Sequence, residues 1–245
     1  MRLDKFLCDL GIGSRKEIKK IIKNGHILVS GKDNIKPETK IDENKDEVFA
    51  YGKKLCYKRY IYLMLNKPKG YISAVWDEKL PYVLELVPKD YLHYKPFPVG
   101  RLDIDTEGLL VLTNDGALSH RLLSPKSHIP KTYFAKVHGL VTDEDYREFK
   151  KGVKLDDGYV TKPAELIILK SGAVSEIEIT ITEGKFHQVK RMFEAVGKKV
   201  IYLKRISMNA LCLDESLGSG DVKELSEEEL NLLCLNTERK NKNDS

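Results

Sequence analysis

The chain has 245 residues, 41% of them hydrophobic, enough for one large domain and a small one with packed cores. Its cysteines, Cys8, Cys56, Cys212 and Cys234, lie too far apart for a zinc or redox motif, so reduced thiols and no metal site are expected. The net charge is a modest +5, no apolar run reaches the ~18 residues of a membrane span, and MRLDKFLCDLG is charged throughout, unlike a signal peptide; the sequence predicts a soluble, cytoplasmic protein.

Leu3, Phe6, Leu7 and Leu10 recur at helical spacing, and Gly11 can supply the left-handed residue that ends such a helix. Ser14 with Glu17 reads as a capping box opening a second helix, with Ile18, Ile21 and Ile22 as its buried stripe and Gly25 as its stop. His26 to Val29 predicts a strand, Ser30-Gly31-Lys32 a turn, and Ile41 to Val48 further strand material. Residues 1–48 thus form a small α+β domain. Its first 25 residues carry Arg2, Lys5, Arg15, Lys16, Lys19, Lys20 and Lys23 against Asp4, Asp9 and Glu17. Arg15 and the lysines at 16, 19, 20 and 23 share one side of a short helix, a surface suited to gripping phosphates without reading bases; a merely solvated helix face is the plainer alternative.

RLDKFLCDLGIGSRKEIKKIIKNGHILVSGK resembles the S4 RNA-binding domain, with glycines, cap and basic residues where that domain has them. Residues 49–59 read as a linker. From residue 60 to 236 the texture suggests a larger domain: strands at Tyr60 to Leu65, Leu109 to Thr113, Thr132 to His138, Glu176 to Ile181 and Lys199 to Leu203, and helices at Ala117 to Leu123, Asp143 to Lys150, His187 to Val196 and Glu227 to Leu233. Asn66-Lys67-Pro68-Lys69-Gly70 reads as a turn. The fold class is α+β, with a mainly antiparallel sheet carrying packed helices. Residues 237–245 are polar and expected to be disordered.

Chemistry concentrates in Pro98-Val99-Gly100-Arg101-Leu102-Asp103-Ile104-Asp105-Thr106-Glu107-Gly108, acids on a loop that feeds a buried strand. A calcium loop fails, because Asn114 stands where a bidentate Glu is needed. A plain turn whose acids cap backbone amides remains open on this segment alone. His187 lacks spaced partners for a metal, and hydrogen bonding within the fold is its simpler role. Leu217-Gly218-Ser219-Gly220 lacks the lysine of a phosphate loop, so no nucleotide cofactor is expected.

GRLDIDTEGLLVLTNDG resembles the signature of the pseudouridine synthases that modify ribosomal RNA. The resemblance makes Asp103 catalytic and Asp105 structural. Ser124-Pro125-Lys126 through Lys131-Thr132-Tyr133 is similar to the family's second motif, which assigns Tyr133 to packing against the target base. Glu183 through Met192 resembles the third, which supplies the aspartate's basic partner: Lys190, with Arg191 as the alternative because many relatives carry Arg at the position of Lys190. Asp103 could then attack the base, attack the sugar, or remove a sugar proton, on a uridine flipped from its stack. Arg101 is expected to hold a phosphate or fill the vacated place, against a salt bridge as the alternative, and Arg191 joins the RNA-contacting set. No cofactor is implied.

The SPKSHIPKTY stretch favours the branch acting on 16S small-subunit RNA, of the uridine-516 type, within a small-subunit assembly particle. A 23S enzyme of the same family is one alternative. A non-enzymatic ribosome-binding factor is the other. No exposed apolar stripe is evident, so a monomer is expected.

Overall fold

The computed structural model describes residues 1–235, so the expected disordered tail at 237–245 lies outside them. The chain divides into two compact units: Met1–Ile61 with Pro88–Lys95, and Tyr62–Val87 with Pro96 onward.

In the first unit, helices α1 (Leu3–Asp9) and α2 (Arg15–Lys23) pack beside a sheet of β1 (Ile27–Val29), β2 (Val48–Ala50) and β3 (Lys53–Leu55). Gly11 and Gly25 both take positive φ just past the helices, and the Ser14–Glu17 capping box forms. Leu3, Phe6, Leu7, Ile18, Ile22, Ile27, Val29 and Val48 make the core, while Ile21 is only partly buried. Two expectations need correction. Strand structure begins at Val48 rather than Ile41, and the expected linker 49–59 holds most of β2 and all of β3. Beyond these strands Tyr57 stacks on Phe6, ring centroids 5.2 Å apart, and its hydroxyl donates to Asp9 at 3.2 Å. An aromatic anchor inside a polar stretch is invisible to a composition-based linker reading. Helix α3 (Lys89–Leu92) also belongs to this unit.

The second unit is built on one nine-stranded sheet. Its strands are β4 (Tyr62–Lys67), β5 (Phe97–Pro98), β6 (Glu107–Thr113), β7 (Lys131–His138), β8 (Glu165–Lys170), β9 (Val174–Ile181), β10 (Lys199–Met208), β11 (Leu211–Cys212) and β12 (Val222–Glu224). The main order is β12-β4-β6-β10-β7-β9-β8, with β5 on β6 and β11 on β10; among the strand ladders of the described residues only β6–β10 is parallel. Helices α4 (Gly116–Leu123), α5 (Asp143–Lys151), α6 (Gln188–Ala195) and α7 (Glu227–Cys234) pack on it, and Phe149 of α5 meets Phe193 of α6 at 4.8 Å. The predicted α+β class with a mainly antiparallel sheet is what forms.

Leu109 to Thr113 in β6 are buried on both faces, which is why this strand reads as an unbroken apolar run rather than an alternation. Beside it, Gly108 has φ +97° and faces Arg205 of β10; a Cβ there would lie 2.2 Å from the Arg205 carbonyl oxygen. Both the backbone angle and the close approach require glycine. Gly108→Ala is therefore expected to cost about 2–4 kcal/mol and to lower the melting temperature by roughly 5–15 °C. A scanning calorimetry shift below about 2 °C would contradict the assigned backbone.

Candidate active site

The loop between β5 and β6 is held by its backbone and by the buried Val99, Leu102 and Thr106, leaving the Asp103 and Asp105 carboxylates partly exposed. The Ser73 hydroxyl donates to the Leu102 carbonyl and accepts from the Leu102 amide, both at 3.0 Å. Gly70 N–H donates to the Ile104 carbonyl at 2.7 Å, and Thr106 N–H to the Asp103 carbonyl at 3.1 Å. Beneath them lies Lys67, wholly buried, whose ammonium donates to the carbonyls of Thr106 (2.8 Å), Asp103 (3.1 Å) and Pro68 (3.1 Å). Such a fixed loop can present a reacting group without paying for its ordering on each encounter.

On this support the Asp103 carboxylate accepts from Lys190 Nζ at 3.1 Å, and the same ammonium donates to Asp105 at 2.6 Å. Lys190 projects from α6, so a loop and a helix 87 residues apart in sequence supply the two halves of the pair. Burial works against the Lys190 charge, but the hydrogen bonds and charges of Asp105 and Asp103 outweigh it and raise its pKa above the ordinary lysine value. Burial likewise opposes ionisation of Asp105, and the Lys190 hydrogen bond and charge more than offset it, lowering the Asp105 pKa. Lys190 thus stays an ammonium, held between the two carboxylates.

Asp103 opens into a cavity also lined by Arg101, Thr106, Tyr133, His187 and Leu203. Tyr133 enters from β7 and is 8% exposed. The predicted trio of Asp103, Tyr133 and Lys190 is thus brought together. Thr106 is buried, and its hydroxyl has no hydrogen-bond partner among the described residues, so it is available to a polar ligand. Exposed Arg101 forms no ion pair with a described residue, contrary to the salt-bridge alternative.

Other expectations change. The Arg191 guanidinium is held by Asp156 and Asp157, with its Nε 2.8 Å from Asp156 and an Nη 2.7 Å from Asp157, while the ammonium that reaches Asp103 is that of Lys190. These acids lie in a polar turn that no periodicity connects to α6. His187 is not absorbed into the fold: its Nε2 lies 3.7 Å from Asp103. In the first unit Arg2 pairs with the buried Asp4 at 2.8 and 3.0 Å, so part of its charge is spent locally. Lys5, Arg15, Lys16, Lys19, Lys20 and Lys23 are exposed.

Sequence reading missed Lys67, placing it in a turn. A signal was present: it continues the parity of Leu63 and Leu65, both fully buried. Desolvation lowers its pKa from 10.5 to about 8, against the nearby charges of Asp105, Asp103 and Glu107. Between those values the unfolded chain binds a proton that the folded chain lacks, so this group makes stability rise with pH. Lys131, lowered to about 8 by burial, acts in the same direction. The neutral amine, however, has two donors for three carbonyls. We expect turnover to decline along an alkaline limb near pH 8 while the urea midpoint holds or rises; a limb that follows loss of fold would refute this role.

This geometry defines a carboxylate–ammonium site in an open cavity on a sheet domain, in a chain that begins with a separate basic unit. Comparison with known proteins gives the class. Residues 1–44 match the S4 domain model, and residues 61–195 match the RNA pseudouridylate synthase model. The chain is 47% identical to an uncharacterized RNA pseudouridine synthase, YtzG, of Bacillus subtilis, covering 95% of this chain and 98% of that one. It is 39% identical to the ribosomal large subunit pseudouridine synthase B of the same organism (95% of each chain). It is also 39% identical to the ribosomal small subunit pseudouridine synthase A of Salmonella typhimurium (94% and 98%). A solved pseudouridylate synthase superposes with a TM-score of 0.67 at 34% identity, covering 95% of this chain and 99% of that one. The chain belongs to the RNA pseudouridine synthase family and is an isomerase acting on RNA. Among the described residues no helix is long and apolar enough to cross a membrane.

Proposed function

We propose that this enzyme isomerises one uridine of 16S ribosomal RNA, of the uridine-516 type, within a small-subunit assembly particle. The observation that carries the chemistry is the hydrogen bond of 3.1 Å from Lys190 to Asp103, whose carboxylate lines the same cavity as Tyr133. The reaction breaks the bond from ribose to uracil N1 and forms one to C5; N1 gains a proton and C5 loses one. It needs no oxidant and no energy source. Asp103 is the carboxylate that acts on the nucleotide, Lys190 orients it through their hydrogen bond, and Tyr133 offers a face to the extruded base. Arg101 holds a phosphate or occupies the gap that the base leaves. Arg15, Lys16, Lys19, Lys20 and Lys23 grip the backbone elsewhere on the RNA.

Choice of the small subunit rests on the SPKSHIPKTY stretch. A 23S target is the second reading, favoured by a large-subunit relative equal in identity to the small-subunit one. Carbodiimide modification with primer extension on RNA from a deletion strain separates the two. Loss of one 16S pseudouridine is expected; loss of a 23S site with 16S unchanged would sink the preference.

A further inference from the structure

The turn between β9 and α6 holds an aromatic ring in solvent. Phe186 is 70% exposed, and its ring stacks on the His187 imidazole with centroids 3.7 Å apart and planes 18° from parallel. Isolated exposed apolar residues are ordinary. This one differs in its footing and its place.

The footing is rigid. Gln188 accepts from Lys185 N–H at 2.9 Å and donates to Glu183 at 2.9 Å, and the same carboxylate accepts from Tyr159 and from Lys162 N–H. Lys185 lies over the Tyr159 ring at 4.7 Å. His187 adopts φ +49°, an unfavourable angle for a non-glycine residue, and starts α6 without capping it by a side chain. Its imidazole therefore serves the stack and Asp103 rather than the helix.

The place is the rim of the site. A broader groove lined by Val75, Arg101, Ile104, Lys185, Phe186 and His187 shares Arg101, Asp103 and His187 with the cavity that holds Tyr133. Apolar walls, two cations and a free aromatic face are the elements that hold unpaired nucleotides, because every base has a π-face and every linkage a phosphate.

We propose that the Phe186–His187 stack is a platform for the unpaired base next to the reacting uridine, positioning the RNA while Asp103 acts. It rests on the synthase reading. Phe186 touches no reacting atom, so it is a positioning residue: its loss raises the RNA concentration needed and leaves the chemical step largely intact.

The test uses the full-length chain with partly assembled small-subunit particles and with 23S RNA, each carrying 5-tritiated uridine, following tritium release in single turnover and binding by co-sedimentation. For Phe186→Ala the half-saturating RNA concentration is expected to rise about 10-fold or more, with the saturated rate close to wild type. Phe186→Tyr is expected to restore binding and Phe186→Leu is not, since stacking requires the ring rather than apolar bulk. Binding by Phe186→Ala equal to wild type, or full rescue by Phe186→Leu, would overturn the platform. A wild-type protein that releases no tritium but binds in a Phe186-dependent way would overturn the synthase reading and keep the platform. Absence of both binding and release would overturn both.

Discussion

Asp103→Asn is expected to lower tritium release from 5-tritiated uridine by about 10³-fold or more while the protein remains folded and bound to RNA. The amide keeps the carboxylate's shape and removes its charge. Nothing in the loop's geometry depends on that charge, because Lys67, Ser73, Gly70 and the Thr106 amide hold the backbone. Lys190 retains Asp105 as a partner, so the substitution strands no buried cation. Urea denaturation and filter binding provide the controls. If the variant kept more than about a tenth of the wild-type single-turnover rate, Asp103 would not be the reacting group.

Lys67→Met is the second large effect and acts through the scaffold. It leaves the carbonyls of Pro68, Asp103 and Thr106 without this donor inside the fold, at a cost of about 2–4 kcal/mol. The loop that carries Asp103 is then released on its inner side, and turnover is expected to fall by at least about 10-fold even where the protein is still folded. Lys67→Arg does not repair it, because a planar guanidinium fits poorly where a compact ammonium meets three carbonyls. The check is a urea midpoint measured with single-turnover release at saturating RNA. A stable variant with wild-type release would show that the loop holds itself.

Much of this was legible from local pattern. The capping box at Ser14 and Glu17, the positive-φ glycines at 11 and 25, and the apolar run of β6 each depend on neighbours within a few residues, so spacing reveals them. Asp103, Tyr133 and Lys190 were proposed through motif resemblance, and the cavity shared by Asp103 and Tyr133 and the hydrogen bond from Lys190 to Asp103 are tertiary facts that no window displays. What escaped has a common cause. Lys67 was hidden because a buried cation violates the usual polarity rule and is satisfied only by carbonyls from a distant loop. Arg191 misled because its acids, Asp156 and Asp157, lie far off in the sequence. The inclusion of residues 88–95 in the first unit cannot be read from a chain scanned in order. The His187 backbone angle follows from packing, since histidine has no intrinsic wish for it.

The lone parallel pairing, β6 against β10, has a consequence for how this enzyme is born. Like the antiparallel β4–β12 pair, β6 and β10 come together only after a strand translated much later has been made, and the loop-closure entropy opposes the pairing until that contact forms. A nascent chain that has already extruded Asp103 lacks both the strand that faces Gly108 and the Lys190 ammonium that the carboxylate accepts from. Competence therefore arrives late, when α6 and β10 have left the exit tunnel.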